Sequence, residues 1–202
     1  QSGETAEIKH LLELLDPEVF VIALTNNAQS TLGKRGNVTF LMNVSDEISV
    51  TTRTYVSSLV MTQLIAAALS GDDTAAVMQE FRKAVAAMDE WLQQGSEYTA
   101  QLRKFFRGSQ SISLMGRGNS LSTVRSGALF FREVSKFTSV DYDSAEFRHG
   151  PMELVQDGFY GIVSAPTGLT QSLGLSLAQS INDKGGKVLL VTDDNGLEIQ
   201  AP

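Results

Sequence analysis

Pro166-Thr167-Gly168-Leu169-Thr170, the spaced apolar residues Leu173, Leu175, Leu177, Ala178 and Ile181, Gly185-Gly186 and then Val188-Leu189-Leu190-Val191 decide the fold. The spaced apolar residues predict a helix, the glycine pair ends it, and the unbroken apolar run predicts a strand covered on both faces. That strand runs into Thr192-Asp193-Asp194. The chain opens in the same order: a polar loop, a helical pattern at Ile8, Leu11, Leu12 and Leu15, a break at Asp16-Pro17, the apolar run Val19 to Leu24, then Thr25-Asn26-Asn27. The later passage reads as a diverged copy of the earlier one. Repeated helix and strand units of this kind predict parallel sheets covered by helices, with ligands held in loops at the carboxyl ends of strands.

Between the copies, Leu59, Val60, Leu64, Ile65 and Ala68 predict a helix over about 56–69. Asp72-Asp73-Thr74 starts another, with Val77, Phe81, Val85, Met88 and Leu92 on one stripe, ending near Gly95. The second copy is preceded by a strand at Ile112-Ser113-Leu114-Met115, a glycine loop and a helix over about 123–136. Nothing equivalent precedes Gln1, which predicts that the first unit begins upstream of this sequence. The expected organisation is one unit over 1–98, including the connecting helix, and a second over 99–202.

The chain has 202 residues and is 42% hydrophobic, enough to bury a core. Its 23 acidic and 16 basic residues give a net charge of −7, which disfavours general affinity for nucleic acid or anionic membrane surfaces. It has no cysteine, hence no disulfide framework and no thiolate nucleophile, which fits a cytoplasmic location. No export signal or membrane-length apolar run is evident.

Five segments carry candidate chemistry. In Gln1-Ser2-Gly3-Glu4-Thr5, Gly3 permits close backbone approach, and the Ser2 and Thr5 hydroxyls with first-turn amides can donate to phosphate oxygens; on spacing alone a simple helix cap is the better explanation. Thr51-Thr52-Arg53-Thr54 precedes a helix and either closes the same anion pocket or is a solvated helix start. Gly116-Arg117-Gly118-Asn119-Ser120 lies between strand and helix, but the third glycine of a dinucleotide fingerprint is replaced by Leu121, so a sugar or sugar phosphate fits it better. Glu133 has Leu129, Phe130 and Phe137 as helical neighbours. It is either a base raised in pKa by apolar surroundings or a surface carboxylate paired with Lys136.

His149, one of two histidines, stands in Glu146-Phe147-Arg148-His149-Gly150-Pro151, where glycine and proline force a turn before a helical stretch at 152–155. Loop histidines are commonly just exposed, as His10 is expected to be; the setting beside Glu146 and shortly after Glu133 makes His149 a proton-transfer candidate. No metal-ligand spacing and no serine nucleophile elbow is evident, and no cofactor is expected.

Together, Gln1-Ser2-Gly3-Glu4-Thr5, Glu47-Ile48-Ser49-Val50-Thr51-Thr52, Gly116-Arg117-Gly118, Gly127-Ala128-Leu129 with Glu133, and Ala145-Glu146-Phe147-Arg148-His149-Gly150-Pro151 resemble the sugar isomerase (SIS) family. The likeness lies with the isomerase half of glutamine:fructose-6-phosphate aminotransferases and with amino-sugar-phosphate deaminases and isomerases. The resemblance implies tandem flavodoxin-like SIS domains, each a three-layer α/β/α sandwich with a parallel sheet. It implies a phosphorylated sugar or amino sugar as ligand, with phosphate at Gln1, Ser2, Thr5 and Thr52. It also implies Glu133 as the base moving a proton between C1 and C2, His149 as the ring-opening group, Glu146 beside it, and a homodimer with shared active sites. The aminotransferases carry a lysine where this chain has Phe130 and a Schiff-base lysine in a C-terminal tail, whereas this sequence stops at Pro202. No glutaminase domain with its cysteine is present either. These departures favour ammonia release or plain isomerisation over glutamine-dependent amination.

Overall fold

The computed structural model describes residues 1–194, and the chain divides into two compact units, Gln1–Gly95 and the part from Ser96 onward. In the first, α1 (Ala6–Leu14) leads to β1 (Ile22–Thr25), and α2 (Thr31–Arg35) returns the chain to β2 (Val38–Leu41). The two strands pair in parallel, Ile22 opposite Val38 and Thr25 opposite Leu41. Two long helices follow, α3 (Arg53–Ser70) and α4 (Thr74–Gln93). Gly71, at φ 78°, accepts the left-handed turn that closes α3, and Asp73 caps α4 by accepting from the amides of Ala75 and Ala76.

α5 (Gly95–Phe105) opens the second unit, followed by β3 (Ile112–Gly116), α6 (Ser120–Glu133), β4 (Ser139–Asp143), α7 (Ser144–Phe147), a 3-10 turn at Pro151–Leu154, β5 (Tyr160–Ser164), α8 (Gln171–Asp183) and β6 (Lys187–Val191). The strand order is β4-β3-β5-β6, every pair parallel. Alternation along β3 sends Met115 to one face and Ile112 and Leu114 to the other. Met115 joins Phe147, Val163, Leu177 and Ile181, while Ile112 and Leu114 join Val124 and Ala128. Two cores on two faces make this unit a three-layer α/β/α sandwich. Both units thus carry the parallel α/β architecture expected.

α6 runs from Ser120 to Glu133, about a turn earlier than expected, because the chain reverses at once toward β4. Lys136 sits at φ 51°, and the Phe137 amide reaches back to the Phe131 carbonyl. The turn after His149 is a 3-10 element started by Pro151 rather than an α-helix, with Gly150 at φ 141°. α2, β2, α5, β4, α7 and β5 were not anticipated.

Phe147 is fully buried and its ring stands 5.1 Å from Tyr142 and 6.0 Å from Phe159. Phe147→Ala is expected to destabilise the second unit by about 3–5 kcal/mol, read as a lower urea midpoint without loss of the first unit's transition.

Candidate functional site

At the chain's start, the Gln1–Thr5 loop lies across the carboxyl end of β1. The Gln1 carbonyl accepts from the Asn26 amide (2.9 Å) and the Thr25 hydroxyl (3.0 Å), and the Gly3 carbonyl accepts from the Leu32 amide (3.2 Å). Gly3, at φ 67°, presses on Ser30 so closely that an added Cβ would lie 2.9 Å from the Ser30 Cβ and 3.0 Å from Thr25 Oγ1. Glu4 turns inward to the start of α2, where the amide and hydroxyl of Thr31 donate to it, and Lys9 Nζ lies 2.7 Å from its other oxygen. The Lys9 ammonium and the Thr31 amide hold the Glu4 carboxyl down from its ordinary 4.5 to about 2.

The Gln1 and Gly3 carbonyls and the Glu4 carboxylate are thereby engaged, while several donors of the loop are left over. Thr5 is the N-cap residue of α1, yet its hydroxyl makes no cap hydrogen bond. The Ser2 hydroxyl accepts from the Glu4 amide at 3.2 Å, which leaves its own proton to give. Among the described residues no protein group takes the amides of Ser2, Gly3 or Thr5. The reading as a simple helix cap is therefore the weaker one: donors facing outward with no internal acceptor suit an anion.

The second copy repeats the frame and fills it differently. Thr25 Oγ1 accepts from the Asn27 amide (3.2 Å), and Thr192 Oγ1 accepts from the Asp194 amide (3.1 Å). Where the first copy has Asn26, the second has Asp193, whose carboxylate accepts from the Thr167 amide (2.6 Å) and hydroxyl (2.9 Å). Those two donors pull its pKa down, the amide contributing more. A carboxylate of the chain itself occupies the loop of the second copy; the loop of the first copy stays open.

Thr52 is placed otherwise than expected. Its hydroxyl (3.1 Å) and amide (3.0 Å) both donate to Glu47 Oε1, as does the Arg53 amide (2.8 Å), while the Thr54 amide donates to Oε2 (3.0 Å). The Glu47 side chain is only 4% exposed, and its pKa is driven far below the carboxylate range, first by the Thr54 hydroxyl and then by these amides. The start of α3 already holds an anion, so the expectation that Thr52 donates to phosphate is at odds with this bonding. Glu47 escaped the sequence analysis as a functional residue, although its position five residues ahead of a hydroxyl-rich helix start was a usable signal.

In the second unit the candidates fall on two opposite edges. Gly116, Arg117 and Gly118 follow β3, and Glu146 and His149 follow β4; parallel strands bring these loops to one edge. Asp143 caps α7 by accepting from the Ala145 amide at 2.7 Å. Phe147 plugs into the core, and the Arg148 guanidinium reaches Ser176 Oγ (3.2 Å) and Ser180 Oγ (3.4 Å) on α8. Between Arg148 and Gly150, His149 is left exposed, as is Glu146. Ser120 and Ser164 meet on the same edge at 3.2 Å.

Glu133 ends α6 at the other edge. Thirteen helical steps of 1.5 Å put it about 20 Å along the helix from Ser120, and β4 puts about 13 Å between its side of the sheet and that of His149. No single hexose phosphate spans Glu133 and either the Gly116–Gly118 loop or His149 within this unit. Nor is Glu133 shielded by apolar neighbours. Val124 and Ala128 define the buried stripe of α6, and a residue five positions beyond Ala128 is rotated about 140° from it. Glu133 is exposed, and Lys136 Nζ bonds its backbone carbonyl (2.7 Å) rather than its carboxylate. His10, expected to lack a partner, stands 3.7 Å from Glu13 on the surface of α1. Among the described residues no cluster of three metal-ligating side chains occurs, and no helix is long and apolar enough to cross a membrane.

The first unit thus combines a parallel α/β architecture with a donor loop beside a strand end. A family model for the SIS domain matches residues 105–201, within the second unit. It is 30% identical over 161 residues, 79% of this chain and 27% of the relative, to a glutamine–fructose-6-phosphate aminotransferase (isomerizing) of Sulfolobus acidocaldarius. The C-terminal domain of glucosamine-fructose-6-phosphate aminotransferase from Francisella tularensis superposes with a TM-score of 0.84 at 26% identity, covering 95% of this chain and 57% of that one. Tagatose-6-phosphate ketose/aldose isomerase from Escherichia coli shares the fold, with a TM-score of 0.77 at 19% identity over 97% of this chain and 56% of that one. The chain spans about a quarter of the length of that curated relative.

The low pKa of Glu4 carries a pH signature. A carboxyl depressed from 4.5 to about 2 stabilises the folded state fully above the higher value, and loses that contribution as pH falls toward the lower one. Across that window the wild-type urea midpoint is expected to fall more steeply than that of Glu4→Gln. Parallel curves would show that the Glu4 contacts contribute nothing to stability.

Proposed function

We propose that this chain is the isomerase part of an enzyme acting on a hexose 6-phosphate or amino-hexose 6-phosphate, either as an isomerase or as an isomerising deaminase. The observation that carries the reading is the Gln1–Thr5 loop, where the Gln1 and Gly3 carbonyls are bonded internally while the amides of Ser2, Gly3 and Thr5 and the Ser2 hydroxyl proton are not. The names of the relatives, aminotransferases of fructose 6-phosphate and a ketose/aldose isomerase, supply the substrate class. Both units are read as SIS domains in tandem, the second through its family match and the first through the repeated loop, helix and strand.

Aldose–ketose isomerisation needs one base alternating between C1 and C2 through an enediol-type intermediate, and a second group that handles the ring oxygen. Glu133 is proposed as the base, His149 as the ring-opening group, and Glu146 as a substrate contact beside it. The opposite-edge arrangement of Glu133 and His149 supports a homodimer in which each site draws Glu133 from one protomer and His149 from its partner. Ligand contact by Gln1, Ser2, Gly3 and Thr5 in the first unit is part of the proposal, as is ligand contact by Gly116, Arg117 and Gly118 in the second. Release of ammonia and a cytoplasmic setting are parts of it as well. The exposure of Glu133 in its own unit favours one rival, a non-catalytic sugar-phosphate sensor.

Glu133→Gln in the intact gene product is expected to abolish deuterium incorporation at C2 of fructose 6-phosphate or glucosamine 6-phosphate in deuterated water, while binding of the sugar phosphate persists. Retained exchange removes Glu133 from its role. Mixing Glu133→Gln with His149→Ala protomers is expected to restore up to about a quarter of wild-type exchange, since a statistical heterodimer regains one of its two sites. No recovery would argue that both groups act from one protomer. Protection by sugar phosphate without exchange in the wild type would favour the sensor.

A further inference from the structure

We infer that Glu47 is a positioning residue that makes Thr52 an acceptor for a sugar hydroxyl, leaving phosphate to the Gln1–Thr5 loop alone. The inference rests on the sugar-phosphate reading above and assigns the two halves of such a ligand to different parts of the first unit.

A threonine hydroxyl has one proton and two lone pairs. Thr52 gives its proton to Glu47 Oε1 (3.1 Å), so what it shows a ligand is lone pairs. Phosphate oxygens also offer lone pairs, whereas a sugar hydroxyl brings a proton. The amides at this helix start are committed too, those of Thr52, Arg53 and Thr54 all donating to Glu47. A buried carboxylate beside them opposes a second anion by charge. Arg53 does not reverse this, because its guanidinium reaches Glu47 Oε1 (3.5 Å) and the Asp46 carbonyl (3.3 Å) and bonds Ser45 Oγ.

Hydrogen bonds tie this start of α3 to the donor loop. The Met42 amide donates to the Thr25 carbonyl (3.1 Å), and Ser58 Oγ on the second turn of α3 touches Met42 Sδ (3.2 Å). Asn26 gives its amide N–H to the Gln1 carbonyl, accepts from the Val44 amide (3.0 Å), and donates to the Val44 carbonyl. The donor loop and the start of α3 thus belong to one bonded frame, the first offering donors and the second an acceptor.

The test compares inorganic phosphate with fructose 6-phosphate by calorimetry on the intact gene product. Thr5→Val is expected to weaken both ligands about tenfold or more. Thr52→Val is expected to weaken fructose 6-phosphate about two- to tenfold and leave inorganic phosphate unchanged, with Thr52→Ser restoring the loss. Glu47→Gln, if it folds, follows Thr52→Val; if it does not, the Thr52 pair carries the test. A loss of inorganic phosphate affinity in Thr52→Val comparable to that in Thr5→Val overturns the inference, as does no effect of Thr52→Val on either ligand. Turnover is a separate readout: the expected binding pattern without C2 exchange would sink the isomerase reading and leave the inference standing.

Discussion

Parallel pairing of strands is the constraint on which the rest of this molecule depends. Each strand leaves the sheet at the same edge, so its helix must travel the full height of the sheet before the next strand can begin. Every strand-to-helix loop is thereby gathered on one edge, and every helix end on the other. Gly116–Gly118 and His149 share an edge because they follow β3 and β4, while Glu133 is sent to the far edge because it ends α6. Residues that are close in sequence are thereby separated by the sheet.

A second theme is the use of internal carboxylates at helix starts. Among the described residues, three loops present donors suited to an anion, and two are satisfied from within: Asp193 bonds Thr167, and Glu47 bonds Thr52 and the amides beside it. In the third, Glu4 points away toward α2 and leaves the loop open. Similar sequences with hydroxyls before a helix therefore differ in ligand capacity according to where the nearest carboxylate points. Asn26 in place of an aspartate is the decisive difference between the two copies, since its neutral amide bonds Val44 and leaves Gln1–Thr5 without an internal anion.

The His149 loop shows how an exposed group can still be held in place. Its neighbours fix the backbone on three sides: Phe147 sinks into the core, Arg148 clamps onto two serines of α8, and Pro151 starts the 3-10 turn. The imidazole is thus presented outward from a rigid segment, the arrangement a residue needs if it is to serve a site outside its own unit.

Local patterns alone determined the class of fold. The helical spacing from Leu173 to Ile181, the strand from Val188 to Val191 and their earlier counterpart were legible because each is continuous, apolar and punctuated by glycine, proline or hydroxyl residues. The Gln1–Thr5 loop was legible as a hydroxyl- and glycine-containing helix start for the same local reason. β4 was not, because Ser139-Val140-Asp141-Tyr142-Asp143 alternates and carries two carboxylates, whereas Phe159 to Val163 did carry an apolar run that signals β5. Which way Glu133 faces, what Thr52 does with its proton, and whether Asp193 fills a loop were settled only by tertiary structure. Each depends on a partner brought near by the path of the sheet or on a helix's rotation against its core, and neither is written in the spacing of neighbouring residues.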